Sequence, residues 1–75
     1  MKIKFSRHAQ RRAKLYKIPE ATILKILDGT EWNQGNQEII ENVDGFNYPL
    51  KIVISVEDDV ITVISCYPLK KGIKT

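Results

Sequence analysis

One cysteine and one histidine in 75 residues exclude several kinds of protein at once. A lone Cys66 can form no internal disulfide, which argues against a small stapled secreted scaffold and for a reducing compartment. Near the end of an apolar run, Cys66 reads as a small core or sheet residue. A single His and a single Cys cannot build a Cys/His zinc site, and no glycine-rich phosphate loop is present, so neither a metal nor a cofactor is expected. No apolar stretch approaches the roughly 20 residues of a membrane span. Met1–Phe5 lacks the apolar segment of a signal peptide. These absences together predict a cytoplasmic protein with no membrane partner.

What is present is an ordinary globular composition, 43% hydrophobic and 28% charged, of a length that fits one domain, residues 1–75. The net charge of +3 hides a strong polarity. Residues 1–17 hold seven bases and no acid, residues 68–75 add Lys70, Lys71 and Lys74, and the segment between has two bases against nine acids. A chain so divided can present a basic face to phosphates. Mutual neutralisation of acidic middle and basic ends is the competing explanation.

The pattern of apolar residues predicts an α+β fold. Lys2–Phe5 alternates like a strand with Ile3 and Phe5 inward. Ser6 is placed to cap a helix running from Arg7 to about Lys17. Pro19 opens a second helix that ends at Asp28-Gly29, with Ile18 and Ile23 spaced for a hydrophobic staple and Ile23, Leu24, Ile26 and Leu27 on its core side. Beyond residue 30, turn signals at Asp44-Gly45 and Asp58-Asp59 divide three strands of an antiparallel meander, or four if 30–33 also pairs. Both helices should cover one face of that sheet.

On a helical wheel of the first helix, Phe5, Ala9, Ala13, Leu15 and Tyr16 share an arc with His8 and Arg12. A charge on a core-facing stripe needs a partner or a cleft. Two-residue turns would set Val56 opposite Ile61, Ile54 opposite Val63, Ile52 opposite Ser65 and Leu50 opposite Tyr67. The helix-facing side of the sheet would then be apolar except for Glu41, Tyr48, Ser65 and Tyr67. This places Arg12 against Glu41, with His8 one turn away. The set His8, Arg12, Glu41 and Tyr67 contains the groups needed for metal-independent phosphodiester cleavage: His8 or Glu41 to move a proton, Arg12 to hold the phosphate. A structural Arg12–Glu41 pair explains the same pattern. Arg7, Arg11, Lys14, Lys70 and Lys71 are the candidate phosphate contacts. Trp32 reads as a partly buried hairpin residue or a base-stacking platform.

His8-Ala9-Gln10-Arg11-Arg12, Ile18-Pro19-Glu20-Ala21 and Val60-Ile61-Thr62-Val63-Ile64 together resemble a small bacterial family, domain of unknown function 4258 (DUF4258). Its pattern is a short strand, then His-Ala-x-x-Arg, a second Arg four residues on, an Ile-Ser helix start and a terminal valine-rich strand. The family's His and first Arg fall on His8 and Arg12. Its second Arg is Tyr16 here, and its capping Ser is Pro19. The resemblance covers nearly the whole chain and implies a RelE-like fold, kin to RelE and BrnT toxins, many of which are ribonucleases. It further implies RNA as target and an antitoxin protein as partner. A non-enzymatic nucleic-acid-binding module and a protein-interaction module are the rival readings.

Overall fold

Local chemistry sets the first half of the chain. In the computed structural model, which describes residues 2–29, 31 and 33–69, β1 (Lys2–Phe5) leads directly into α1 (Arg7–Leu15). The joint is Ser6, in extended backbone, whose Oγ accepts the Ala9 N–H at 3.0 Å and so satisfies one of the helix's orphan donors. The helix stops at Leu15, two residues before the expected end. Lys17 adopts the left-handed conformation at φ 56°. The Ile18 N–H then returns to the Ala13 carbonyl at 2.8 Å and the Lys17 N–H to that of Lys14 at 3.3 Å. This is the paired bonding of a Schellman stop, with a lysine where glycine is commonest. It tucks Ile18 into the core next to the start of α2 (Glu20–Asp28), where Pro19 is the cap position and Ile23 is fully buried, as a staple requires.

Each helix buries a narrower stripe than the wheel suggests. α1 contributes only Ala9 and Ala13 to the buried core, and these small side chains let it lie close to the sheet. Leu15 is 67% exposed and Leu24 41% exposed, so neither joins the core as expected. Each is displaced by one or two residues from the i, i+4 pairs Ala9/Ala13 and Ile23/Leu27, which rotates it out of the packed stripe.

The sheet comprises β1, β2 (Gly35–Glu41), β3 (Leu50–Glu57) and β4 (Val60–Pro68), in spatial order β1-β4-β3-β2. Its last three strands are the antiparallel meander. The fourth is not a segment at 30–33 but β1, which pairs in parallel with Val60–Val63 of β4 and makes the sheet mixed. Residues 30 and 32, including Trp32, lie outside the described residues, and Glu31 and Asn33 belong to no strand.

The turn at Asp58-Asp59 is two residues long, and the sequence register holds for the Val56–Ile61 and Ile54–Val63 pairs. Gln34 braces this turn, its side-chain amide donating to the Asp58 carbonyl and accepting the Asp58 N–H. Asp44-Gly45, by contrast, is not a tight hairpin. β2 and β3 meet at Glu41–Leu50, leaving residues 42–49 as a connection in which Phe46 N–H bonds the Val43 carbonyl and Gly45 takes φ 93°. Pro49, lacking an N–H, stands just before the first paired residue of β3, where a proline can stop a ladder. Phe46 packs against the core as expected, whereas Tyr48 is 39% exposed.

The core itself is as the alternation predicts: Leu50, Ile52, Ile54, Ile61 and Val63 are fully buried, with Ala9, Ala13, Ile23 and Leu27 in the same cluster. The other face of the sheet, with Lys51, Val53, Ser55, Thr62 and Ile64 half-buried, carries no helix from this core.

Candidate functional site

A β-bulge reassigns the second half of β4. Ile54 faces Val63 but Val53 faces Ser65, so Ile64 is an extra residue and every later pair shifts by one. Side-chain parity inverts with it. Cys66 now points inward and is fully buried, its thiol 3.7 Å from the Ala9 carbonyl oxygen. Tyr67 turns to the bare face, opposite Lys51. The slip is favourable, because it buries Cys66 in place of Ser65 and spares the core a phenol. Burial pushes the Cys66 thiol above its ordinary 9.0, and the nearby Arg12 guanidinium draws it partly back.

β1 is four residues long and β4 nine, so the parallel pairing ends at Val63. From there α1 takes over: Ser6 N–H bonds the Val63 carbonyl and Ser6 Oγ donates to that of Ile64 at 2.9 Å. α1 therefore runs beside a β4 edge that β1 leaves uncovered, and Arg12 reaches past that edge to Tyr67. Its guanidinium carbon lies 5.9 Å from the ring centroid, and Lys51 Nζ lies at the same distance. Both are within cation–π range. Lys51 also forms a 3.2 Å ion pair with Glu38 on β2. The Glu38 carboxylate, with the Tyr67 hydroxyl adding to its effect, holds the Lys51 ammonium above its usual 10.5. Glu38 is 60% exposed, so the pair orients Lys51 more than it stabilises the fold.

The four expected cleavage residues do not converge. Arg12 is half-buried and meets Tyr67, but on the opposite side of the sheet from the cleft foreseen. Glu41, exposed at the end of β2, is separated from β4 by the whole of β3. No ion pair joins it to Arg12 among the described residues; it lines a different cleft with Thr22, Lys25 and Asp44. His8 is exposed on α1, not on the buried stripe, and stands one turn from Arg12. Arg7, Arg11 and Lys14 are exposed on the same helix, whereas Lys70 and Lys71, and with them the continuity of the basic surface, lie outside the described residues.

Lys51 and Glu38 escaped the sequence reading. Lys51 was legible as an outward residue of β3, but nothing marked it as a neighbour of Tyr67 while that tyrosine was assigned inward. Among the described residues no three His, Cys, Asp or Glu side chains gather as metal ligands, and no helix is long and apolar enough to cross a membrane. No family model, curated protein or solved structure matches the chain. Fold and site define it as a two-layer α+β domain with two cations, Arg12 and Lys51, each within reach of one aromatic ring on its bare sheet face.

Proposed function

We propose that this chain is a small RNA-binding domain of the RelE-like toxin kind. The observation that carries the reading is the Tyr67 ring with Arg12 and Lys51 each 5.9 Å from its centroid. An unstacked base finds an aromatic face there, and its phosphates find two cations, the combination that serves single-stranded nucleic acid. Lys2 and Lys4, at outward positions of β1, extend the positive charge along the same face. The exposed Arg7, Arg11 and Lys14 of α1 are further candidate phosphate contacts. The resemblance to DUF4258 supports RNA as target and an antitoxin protein as partner.

Metal-independent cleavage is the enzymatic form of this reading. Arg12 and Lys51 would then neutralise the phosphate, and His8 or Tyr67 would move a proton. The test is anisotropy of a labelled single-stranded RNA across a salt series, with Tyr67→Ala and Arg12→Gln. Loss of one stacked base costs about 1–3 kcal/mol, and loss of one phosphate contact flattens the log–log salt slope by about 0.7. Wild-type affinity that ignores salt, or that neither variant weakens, overturns the proposal. Incubation of the same RNA in EDTA, with His8→Ala alongside, separates enzyme from binder: only an enzyme has turnover to lose.

A further inference from the structure

A second aromatic site lies on the other face of the sheet from the first. At the end of the sheet where β3 begins and β4 finishes, a cleft of about 410 Å³ is lined by Tyr16, Phe46, Tyr48, Lys17, Asn47 and Pro68. Three of the seven lining residues, Gly45 being the seventh, are aromatic, although phenylalanine and tyrosine together number five in the whole chain. They come from two separate elements: Tyr16 is the C-cap of α1, and Phe46 and Tyr48 stand on the β2–β3 connection. Tyr16 and Phe46 are half-buried against the core and give the cleft a fixed floor. Tyr48 is left 39% exposed at the rim, where a flat ligand could cover it.

The polar groups around this floor are selective. Among the described residues Lys17 is the only ionic one lining the cleft, and the left-handed Schellman position at φ 56° fixes its backbone. No carboxylate lines the cleft among the described residues, so its charge there complements an anion. Asn47 is exposed beside the aromatics and offers an amide donor and an acceptor side by side, the pattern that reads a base edge. Covalent continuity ties this cleft to the cation–aromatic cluster. Pro68 follows Tyr67 directly but on the opposite face of β4, and Tyr16 lies one helical turn beyond Arg12, so the two sites are related across the free edge of β4 that Arg12 reaches past.

From this juxtaposition we infer that the cleft is a second base subsite, taking the nucleotide next to the one stacked on Tyr67 in a single RNA strand. The inference rests on the RNA-binding reading and deepens it: the ligand is an unpaired segment of at least two consecutive nucleotides. Arg12, between the two aromatic sites, faces the linking phosphate, and Lys17 faces the phosphate beyond.

The experiment compares a single-stranded RNA octamer, the same sequence annealed into a duplex, and a mononucleotide, against wild type, Tyr48→Ala, Asn47→Ala and Tyr67→Ala. Tyr48 and Asn47 are exposed, so both variants should fold, which circular dichroism checks. Tyr48→Ala should weaken octamer binding at least about fivefold, the equivalent of one stacked base. Asn47→Ala should weaken it less, and more for some bases than for others. The duplex, whose bases are not free to enter, should bind more weakly than the octamer. If Tyr67→Ala weakens the octamer while Tyr48→Ala and Asn47→Ala do not, the second subsite is overturned and the RNA reading stands. If the mononucleotide binds as tightly as the octamer, the two-nucleotide ligand is overturned likewise. If no RNA binds the wild type, both fall, and the same holds if the cleft proves to take an acidic peptide in place of RNA.

Discussion

Ser6→Ala should cost this domain more than an ordinary helix cap does, because one hydroxyl performs two tasks in two elements. Its oxygen accepts the Ala9 N–H at 3.0 Å, and its proton goes to the Ile64 carbonyl at 2.9 Å, 58 residues away. Removing the cap costs about 1 kcal/mol. Removing a neutral hydrogen bond and leaving a half-buried carbonyl at the β4 bulge adds about another 1 kcal/mol. The sum is ~2 kcal/mol, which for a domain this small lowers Tm by roughly 8–16 °C. Urea unfolding followed by circular dichroism measures it directly, as a lower midpoint with an unchanged slope. Ser6→Asp divides the two tasks: it retains an acceptor for Ala9 but has no proton for Ile64, so it should lose about half as much. A Ser6→Ala protein within about 0.5 kcal/mol of wild type, the scatter of ordinary surface changes, would refute the account of α1 as pinned to β4 by this residue.

Three further outcomes are expected. Lys17→Gly should stabilise the fold by ~0.5–1 kcal/mol, since glycine adopts φ 56° without the Cβ clash that lysine bears; unchanged or lower stability in urea would contradict the Schellman assignment. Glu38→Gln should bring the Lys51 ammonium, followed by NMR, back down toward 10.5. Because that value is raised in the fold, the Lys51 side of the pair is fully charged below pH 10.5 and its contribution is lost on the alkaline side as pH rises through the folded value, so no stability change from it is expected between pH 5 and 9. Cys66, fully buried with its thiol raised above 9.0, should react with a disulfide reagent at pH 8 only as fast as the domain unfolds. Its stabilising share is likewise intact below pH 9.0 and falls as pH climbs above it; rapid labelling of the native protein would contradict its burial.

The elements with local signals were legible before the structure. Ser6 as cap, Pro19 as the start of α2, and the alternation of Leu50, Ile52, Ile54 and Val56 each state their role within a few residues. The parallel pairing of β1 was not legible, because its partners in β4 lie 58 residues further along and four residues of alternation fit many neighbours. Asp44-Gly45 misled for a related reason. It makes a turn wherever the chain needs one, and only Pro49 hinted that the ladder would restart late.

The site was misread through a single residue. Counting outward from Asp58-Asp59 gives the right face for every β4 residue up to Val63, and Ile64 then inverts the remainder. A hydrophobic pattern scarcely resists that inversion, since Ser65 and Tyr67 against Cys66 and Pro68 is a weak contrast compared with Ile61 and Val63 against Thr62. The wheel of α1 had a matching gap: it rightly set Arg12 apart from the solvated lysines, but it assumed that the sheet continued beneath. It does not, because β1 ends at Phe5 and leaves α1 beside the free half of β4. An arginine at the margin of the apolar stripe therefore meets an edge, and past that edge lies the tyrosine that the bulge has turned outward. Arg12 and Tyr67 do meet, and the two errors about their surroundings combine to put their meeting place on the opposite face. The bulge thus determines which residues share the site with Arg12: restoring even alternation would return Tyr67 to the core and leave Arg12 and Lys51 without the ring that lies within reach of both.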